Sequence, residues 1–183
     1  MTSPIRPVDL DVAPPEPVRA VLALGSNLGD RLATLQAGVN SLASEPGLQL
    51  IGVSPVVETA PVGGPEQDDY LNAVLLVADP DASPSDWLLR AHVAEAAAGR
   101  TREVRWGPRT LDVDVVAVDD VTSDDPQLTL PHPRAVERAF VLVPWLAVDP
   151  AATLAGKPVA EWLAALPTDE VDAVRRLEGV TLR

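Results

Sequence analysis

The order of the apolar segments between residues 18 and 118 constrains the fold of this chain more than any other feature. Four apolar runs have the length and composition of buried strands: 18–27, 48–59, 70–78 and 111–118. A segment with helical spacing follows the first run, at 30–44, and another follows the third, at 84–98. This order predicts an α+β fold, a ferredoxin-like βαββαβ sandwich.

Spacing and end signals define the two helices. The first helix carries apolar residues at intervals of three and four, so we expect the whole stripe to be core: Leu28, Leu32, Leu35, Val39 and Leu42. The second helix begins with Ser83 as N-cap and Pro84 at the first helical position, and Asp86 completes a capping box. Gly99 is its expected terminator.

The rest of the chain predicts one domain with two appendages. Residues 1–17 are rich in proline and have little to bury, so they are expected to be a flexible tail. The domain is expected to span 18–166, and beyond the fourth strand it should add a short strand, a proline turn and two apolar helices. Residues 167–183 are expected to be a C-terminal extension.

The composition excludes several classes of protein and site. The chain has no cysteine and only two histidines, His92 and His132, so a bound metal should have oxygen ligands. A net charge of −13 argues against binding to nucleic acid or to a membrane. No run of eighteen apolar residues and no signal-peptide pattern is present, so we expect a cytoplasmic protein. We also expect a monomer whose partners are small molecules.

Two aspartates stand at the start of the fourth strand, in the run "RWGPRTLDVDVV". Because side chains alternate along a strand, Asp112 and Asp114 should share a face, with Cα atoms about 6 to 7 Å apart. Two carboxylates at that distance repel by about 3 kcal/mol at an effective dielectric constant near 20. The pair therefore predicts a divalent cation.

Arginines are concentrated just before this strand. Every basic residue except Lys157 is an arginine, and four lie close together: Arg100, Arg102, Arg105 and Arg109. Guanidinium groups suit bidentate contacts with phosphate, so the cluster favours a phosphorylated ligand. A solvated, salt-bridged loop would have the same spacing, and the spacing alone does not decide between the two.

The chain has one tyrosine and one phenylalanine. Tyr70 shares a strand face with Asn72, and Phe140 lies close in sequence to Arg138. The two rings could enclose a flat heterocycle whose edge is bonded by the Asn72 amide. Composition alone favours the alternative that both are ordinary core residues.

Four motifs together resemble the 6-hydroxymethyl-7,8-dihydropterin pyrophosphokinase family of folate biosynthesis: "LGSNLGDR", "APVGG…DYLNAV", "GRTREVRWGPRTLDVDVV" and "LTLPHPRAVERAFVLVP". The third is the most specific, because Arg-Trp-Gly-Pro-Arg two residues before Asp-x-Asp is improbable by chance. The resemblance implies an ATP-dependent diphosphotransferase that moves pyrophosphate from ATP to the pterin and releases AMP. It also implies the ferredoxin-like fold.

The resemblance also assigns roles to residues by position. It implies that Asp112 and Asp114 hold two Mg²⁺ ions and that Trp106 belongs to a lid over residues 100–109. The implied catalytic residues are Arg100, Arg102, Arg109, Asp112 and Asp114. The implied pterin contacts are Thr59, Val62, Tyr70, Asn72 and Phe140. The implied ATP contacts are Glu95, Arg100, Arg109, Val115, His132 and Arg138.

Some alternatives stay open from sequence. The loop before Trp106 is short, so either Arg102 or Arg105 could meet the triphosphate. A non-catalytic ferredoxin-like module that binds nucleotide or pterin is the main rival function, because that fold hosts many functions. An RNA-binding module would also suit an arginine cluster beside a sheet, but the acidic net charge counts against it.

Overall fold

The structure is a computed structural model, and it describes residues 18–61, 67–99 and 109–183. The strands are β1 Val18–Ser26, β2 Gln49–Val53, β3 Val57–Thr59, β4 Tyr70–Asp79, β5 Asp112–Val118, β6 Ser123–Asp125, β7 Leu128–Leu130, β8 Thr153–Leu154, β9 Lys157–Pro158 and β10 Arg175–Arg176. The helices are α1 Arg31–Ala43, α2 Pro84–Ala97, α3 Ala139–Val148, α4 Val159–Ala164 and α5 Thr168–Asp172, with a 3-10 turn at Ala135–Glu137.

One antiparallel sheet organises the domain. Its strand order is β10-β3-β4-β1-β5, and β2 pairs with the far end of β4. Hairpins β6-β7 and β8-β9 lie outside it. With β1 between β4 and β5, the sheet and its helices have the predicted ferredoxin-like βαββαβ arrangement, and that prediction is confirmed.

The sheet has an apolar core on each face. Leu71, Ala73, Leu75 and Val77 of β4 pack with α1 and α2, where Trp87 is fully buried. Val74 and Leu76 alternate with them and pack with α3 on the other face, around Leu142 and Trp145. Both faces of β4 therefore bury apolar side chains, as is typical of a strand whose two faces are both covered.

The helix ends follow the sequence signals, but the apolar stripe predicted for the first helix is only partly buried. Asp30 caps α1 by accepting from the Ala33 N–H at 3.0 Å, and Gly99 follows α2 with a φ of 70°. Leu28 and Leu32 are 41% and 37% exposed, so their assignment to the core was wrong. The reason is that Leu28 precedes the helix and Leu32 lies in its first turn, beside a groove formed with residues 179–182.

The second apolar run divides into two strands that both pair with β4. At the break, the Val74 N–H donates to the Ser54 hydroxyl at 2.8 Å, and that hydroxyl donates to the Pro55 carbonyl. The C-terminal residues return to this edge, where β10 pairs with β3.

The domain boundary at 166 stays a prediction. None of the helices in the described ranges has the length and apolar character needed to cross a membrane.

A buried ion pair fastens the end of β4 to α2. The Asp79 carboxylate is 2% exposed and accepts from Arg90 Nη2 at 2.5 Å and from the Asp81 N–H at 2.9 Å. The hydrogen bond from the Asp81 N–H lowers the pKa of the Asp79 carboxyl most, and the Arg90 guanidinium lowers it further. Together they outweigh burial, which would raise the pKa.

We predict that Asp79→Asn lowers the free energy of unfolding by roughly 1–3 kcal/mol at neutral pH, because it weakens a charged, buried hydrogen bond. A depressed pKa in the folded state gives stability that is present above the unfolded pKa of about 3.9 and is lost as the pH falls. The difference in the free energy of unfolding between Asp79→Asn and the native chain, measured by urea unfolding, should therefore become smaller below about pH 4. The exposed Asp81→Asn is the control, and a pH-independent difference would contradict the prediction.

Candidate active site

Polar and small residues form a row across one end of the sheet, on the α3 face. In the strand register Asn72 of β4 lies opposite Gly25 of β1, and Gly25 lies opposite Asp112 of β5. Two residues further along, Ala23 separates Val74 from Asp114. Since directly opposed residues share a face, the central strand offers a floor without large side chains between the amide and the carboxylates.

Gly25 lies in close contact with the Asn72 amide. A Cβ at Gly25 would lie 3.0 Å from Asn72 Oδ1 and 3.7 Å from Tyr70 Cδ1. To accommodate an alanine, the amide would have to move by a few tenths of an ångström. Glycine inside a strand often marks such a close approach, which is the signal that sequence reasoning could have used here.

Each of the two aspartates has an arginine partner. Arg109 Nη1 donates to Asp112 Oδ2, and Arg138 Nη1 donates to Asp114 Oδ2 at 2.9 Å. Burial disfavours the charged form of Arg109, but the neighbouring Asp112 carboxylate outweighs it and raises the pKa of Arg109. The repulsion expected from the sequence is thus balanced by two guanidinium groups in the chain itself.

His132 lies beside the second aspartate. Its backbone N–H donates to the Val116 carbonyl at 2.8 Å, which places Nε2 3.9 Å from Asp114 Oδ2. Burial lowers the pKa of His132, and the positive charge of Arg138 adds to this, while Asp114 opposes it. The Arg134 N–H donates to His132 Nδ1 at 3.2 Å, so the neutral ring carries its proton on Nε2.

Three of the residues predicted to contact a flat ring, Thr59, Tyr70 and Asn72, lie at the opposite end of the row. Asn72 is 6% exposed and its Nδ2 donates to Thr59 Oγ1 at 3.0 Å, while Thr59 lies opposite Tyr70 in the register. Phe140 lies in the first turn of α3, half-buried, with the Arg138 guanidinium 5.6 Å from its ring centre. The same arginine therefore contacts both Asp114 and Phe140.

Two predicted ATP contacts lie on the other face of the sheet. Val115 is 5% exposed and packs in the core with α1 and α2, so its side chain points away from the aspartates. Glu95 of α2 is 5% exposed and accepts from the Val113 N–H at 2.9 Å, which fixes the backbone between Asp112 and Asp114. Other predicted residues lie outside the described part of the chain: Val62, Arg100, Arg102, Arg105 and Trp106.

Asn27 joins two chain segments around the site, and the sequence analysis assigned it no role. Its Oδ1 accepts from the Arg109 N–H at 2.8 Å, and its Nδ2 donates to Gln67 Oε1 at 2.9 Å and to the Asp68 carbonyl at 3.1 Å. The residue is 1% exposed, and burying an amide is costly unless it is hydrogen-bonded. An asparagine directly after an apolar strand suggests that its side chain is hydrogen-bonded in the fold, but the sequence does not reveal its partners.

Comparison with known proteins identifies the family. A family model described as 7,8-dihydro-6-hydroxymethylpterin-pyrophosphokinase (HPPK) matches residues 21–150. The chain belongs to the HPPK family. It is thus a pyrophosphokinase, an enzyme that transfers a pyrophosphoryl group in folate biosynthesis, as the sequence motifs predicted.

HPPK relatives cover most of the chain. A Mycobacterium tuberculosis protein named 2-amino-4-hydroxy-6-hydroxymethyldihydropteridine pyrophosphokinase is 51% identical over 170 residues, which is 86% of this chain and 88% of the relative. A Methylorubrum extorquens protein of the same name is 42% identical over 156 residues, 85% of this chain and 98% of the relative.

A crystal structure of Plasmodium falciparum HPPK-DHPS has the same fold. It matches with a TM-score of 0.66 at 13% identity and covers 92% of this chain. The chain spans about half of that longer protein, 49% of its length, so the match supports the fold alone.

The contact at Gly25 gives a prediction about stability. Gly25→Ala should lower the free energy of unfolding by roughly 1–3 kcal/mol, because the added methyl group overpacks the Asn72 amide. In an Asn72→Ala background the same change should cost clearly less, since the clashing atom is gone. Urea unfolding of the native chain, both single variants and the double variant measures this coupling. Equal costs in the two backgrounds would show that Asn72 does not impose the glycine.

Proposed function

We propose that the chain transfers the β,γ-pyrophosphoryl group of ATP to the hydroxymethyl oxygen of 6-hydroxymethyl-7,8-dihydropterin and releases AMP. The observation that carries this proposal is the row Asn72, Gly25, Asp112 across three adjacent strands. On this row an amide that could bond a heterocycle and a carboxylate pair that could serve charged phosphates share one surface, with only Gly25 and Ala23 of β1 between them. Two substrates bound at its two ends would meet over β1.

The carboxylate pair has the chemistry of a magnesium site. Asp112 and Asp114 are 21% and 33% exposed at their side chains, so both can be reached from solvent. Among the described residues no group of three or more histidines and acids surrounds them. Mg²⁺ suits such a site, because it commonly binds one or two carboxylates and completes its shell with phosphate and water oxygens. When bound, two ions would neutralise phosphate charge and polarise the attacking hydroxyl.

The pterin would bind at the Asn72 end. Asn72 Oδ1 is directed toward the space above Gly25, where it can accept from a ring N–H, and its Nδ2 is held by Thr59. Tyr70 and Phe140 supply aromatic faces for stacking on the flat ring. The family resemblance adds Val62 to these proposed pterin contacts.

The triphosphate would bind at the aspartate end. Arg109 and Arg138 are already held there by Asp112 and Asp114. Cations on the carboxylates would release these guanidinium groups, which would then donate to phosphate oxygens. His132, neutral and protonated on Nε2, adds a further donor. Arg100, Arg102 and the lid residue Trp106 are proposed to complete this side. In this proposal these groups accelerate the reaction by positioning the substrates and stabilising charge.

The direct test is the release of AMP. ATP incubated with the chain should yield AMP and a pyrophosphorylated pterin only when 6-hydroxymethyl-7,8-dihydropterin is present. Hydrolysis of ATP to ADP without the pterin, or no consumption of ATP at all, would overturn the proposed reaction. The second outcome would leave a binding module.

We predict that Asp112→Asn and Asp114→Asn each lower turnover by roughly a hundredfold or more, because each removes a charged ligand from the site where transition-state charge is balanced. The fold should survive, since both side chains are partly exposed. The control is Asp120→Asn, which removes an exposed charge just after β5. Activity within a few-fold of the native chain in either site variant would remove the carboxylate pair from the mechanism.

A further inference from the structure

An ion network of four residues, Arg31, Glu58, Asp69 and Arg175, lies behind the proposed pterin contacts of β3 and β4, on the α1 face of the sheet. Glu58 of β3 is 15% exposed and accepts from Arg31 Nη1 at 3.0 Å through Oε1 and from Arg175 Nη2 at 2.7 Å through Oε2. Arg31 is the first residue of α1, and Arg175 lies in β10 near the C-terminus. One carboxylate thus connects three elements that are far apart in sequence.

The same two arginines hold the chain that enters β4. Arg31 Nη1 donates to the Asp69 carbonyl at 2.7 Å, and Arg175 Nη2 lies 3.8 Å from Asp69 Oδ2. Glu58 is the last but one residue of β3, and Asp69 directly precedes β4. The network therefore fastens the end of one strand to the beginning of its neighbour.

The next residue of each strand points to the opposite face, into the site. Thr59 follows Glu58 and Tyr70 follows Asp69, and the two lie directly opposite one another. Thr59 Oγ1 accepts from Asn72 Nδ2 at 3.0 Å, so the relative position of β3 and β4 sets the orientation of that amide. A shift at Glu58 is thereby passed to the surface that would meet the pterin.

We propose that Arg175 is a positioning residue for pterin binding: through Glu58 it holds Thr59, Tyr70 and Asn72 in register from behind. The C-terminal strand is then a functional part of the acceptor site. This inference rests on the proposed function, because it assumes that Thr59, Tyr70 and Asn72 contact the pterin.

The C-terminal segment has other anchors, so the role of Arg175 is separable from holding the strand in place. The Leu177 N–H donates to the Val56 carbonyl at 2.9 Å, and Leu182 is 3% exposed in the core beside α1. The Gln36 side chain bonds both the N–H and the carbonyl of Arg183. Removing the Arg175 guanidinium should leave β10 paired with β3.

The test compares four chains in the AMP-release assay: the native chain, Arg175→Ala, Arg175→Lys and Arg176→Ala. Arg176 is the matched control, because it is an exposed arginine of the same strand and shows no ion pair among the contacts of the described residues. Arg175→Ala should raise KM for the pterin roughly threefold to fivefold, the size of an exposed ion pair, with KM for ATP unchanged. Arg175→Lys should restore most of the loss, and Arg176→Ala should match the native chain.

The coupling through Glu58 has its own measurement. In a Glu58→Gln background Arg175→Ala should have little further effect on pterin KM, because its partner is already uncharged. Equal pterin KM values for Arg175→Ala and Arg176→Ala would overturn the proposal, and so would equal losses for pterin and ATP. If the native chain fails to make AMP with the pterin, the proposed function is wrong and this inference is wrong with it. If the native chain makes AMP but Arg175→Ala leaves the pterin KM unchanged, only the proposed role of Arg175 is wrong.

Discussion

The pairing of Asp112 and Asp114 with Arg109 and Arg138 is the interaction on which the site depends. Two carboxylates on one face of a strand repel each other, and the guanidinium groups make the pair tolerable in the folded chain. The same contacts hold two arginines, with donors to spare, where a triphosphate would need them. A divalent cation arriving with the nucleotide would compete with the arginines for these carboxylates, and the phosphates could then take over the arginines.

The sheet gives this charge arrangement a rigid support. β1 lies between β4 and β5 and contributes only Ala23 and Gly25 to the row, so the two ends of the site are connected by an open floor. Glu95 satisfies the Val113 N–H between the two aspartates from the other face. Next to it, a register shift in the β1–β5 pairing leaves Val116 out of the register with β1, and the Val116 carbonyl accepts from the His132 N–H. The core thus fixes positions that the chemistry uses.

Local patterns predicted much of this architecture. Capping residues gave the ends of α2, alternation gave the two faces of β4, and the Asp-x-Asp spacing gave the shared face of the aspartates. The error at Leu28 and Leu32 arose because helical spacing shows which residues align but not where the helix begins: Leu28 precedes α1 and Leu32 lies in its first turn. Side-chain direction also separates Val115 from Asp114, since positions one residue apart on a strand face opposite cores.

Local sequence patterns do not predict contacts between residues that are far apart in sequence. A two-residue strand such as β10 has no periodicity, and Arg175 meets Glu58 across most of the chain. The partners of Asn27 and the arginine partners of the aspartates depend in the same way on how the chain closes. Motif resemblance proposed the site residues, but only the three-dimensional structure shows which side chains contact them.

The central claim is that Asp112 and Asp114 exchange their arginine partners for divalent cations when the nucleotide binds. A crystal structure of the complex with Mn²⁺, a non-hydrolysable ATP analogue and the pterin tests this directly, because the anomalous signal locates each ion. The account predicts ions bound by oxygens of both carboxylates, with Arg109 and Arg138 on the phosphates. Ions held by phosphate alone, with both carboxylates still on their arginines, would contradict it.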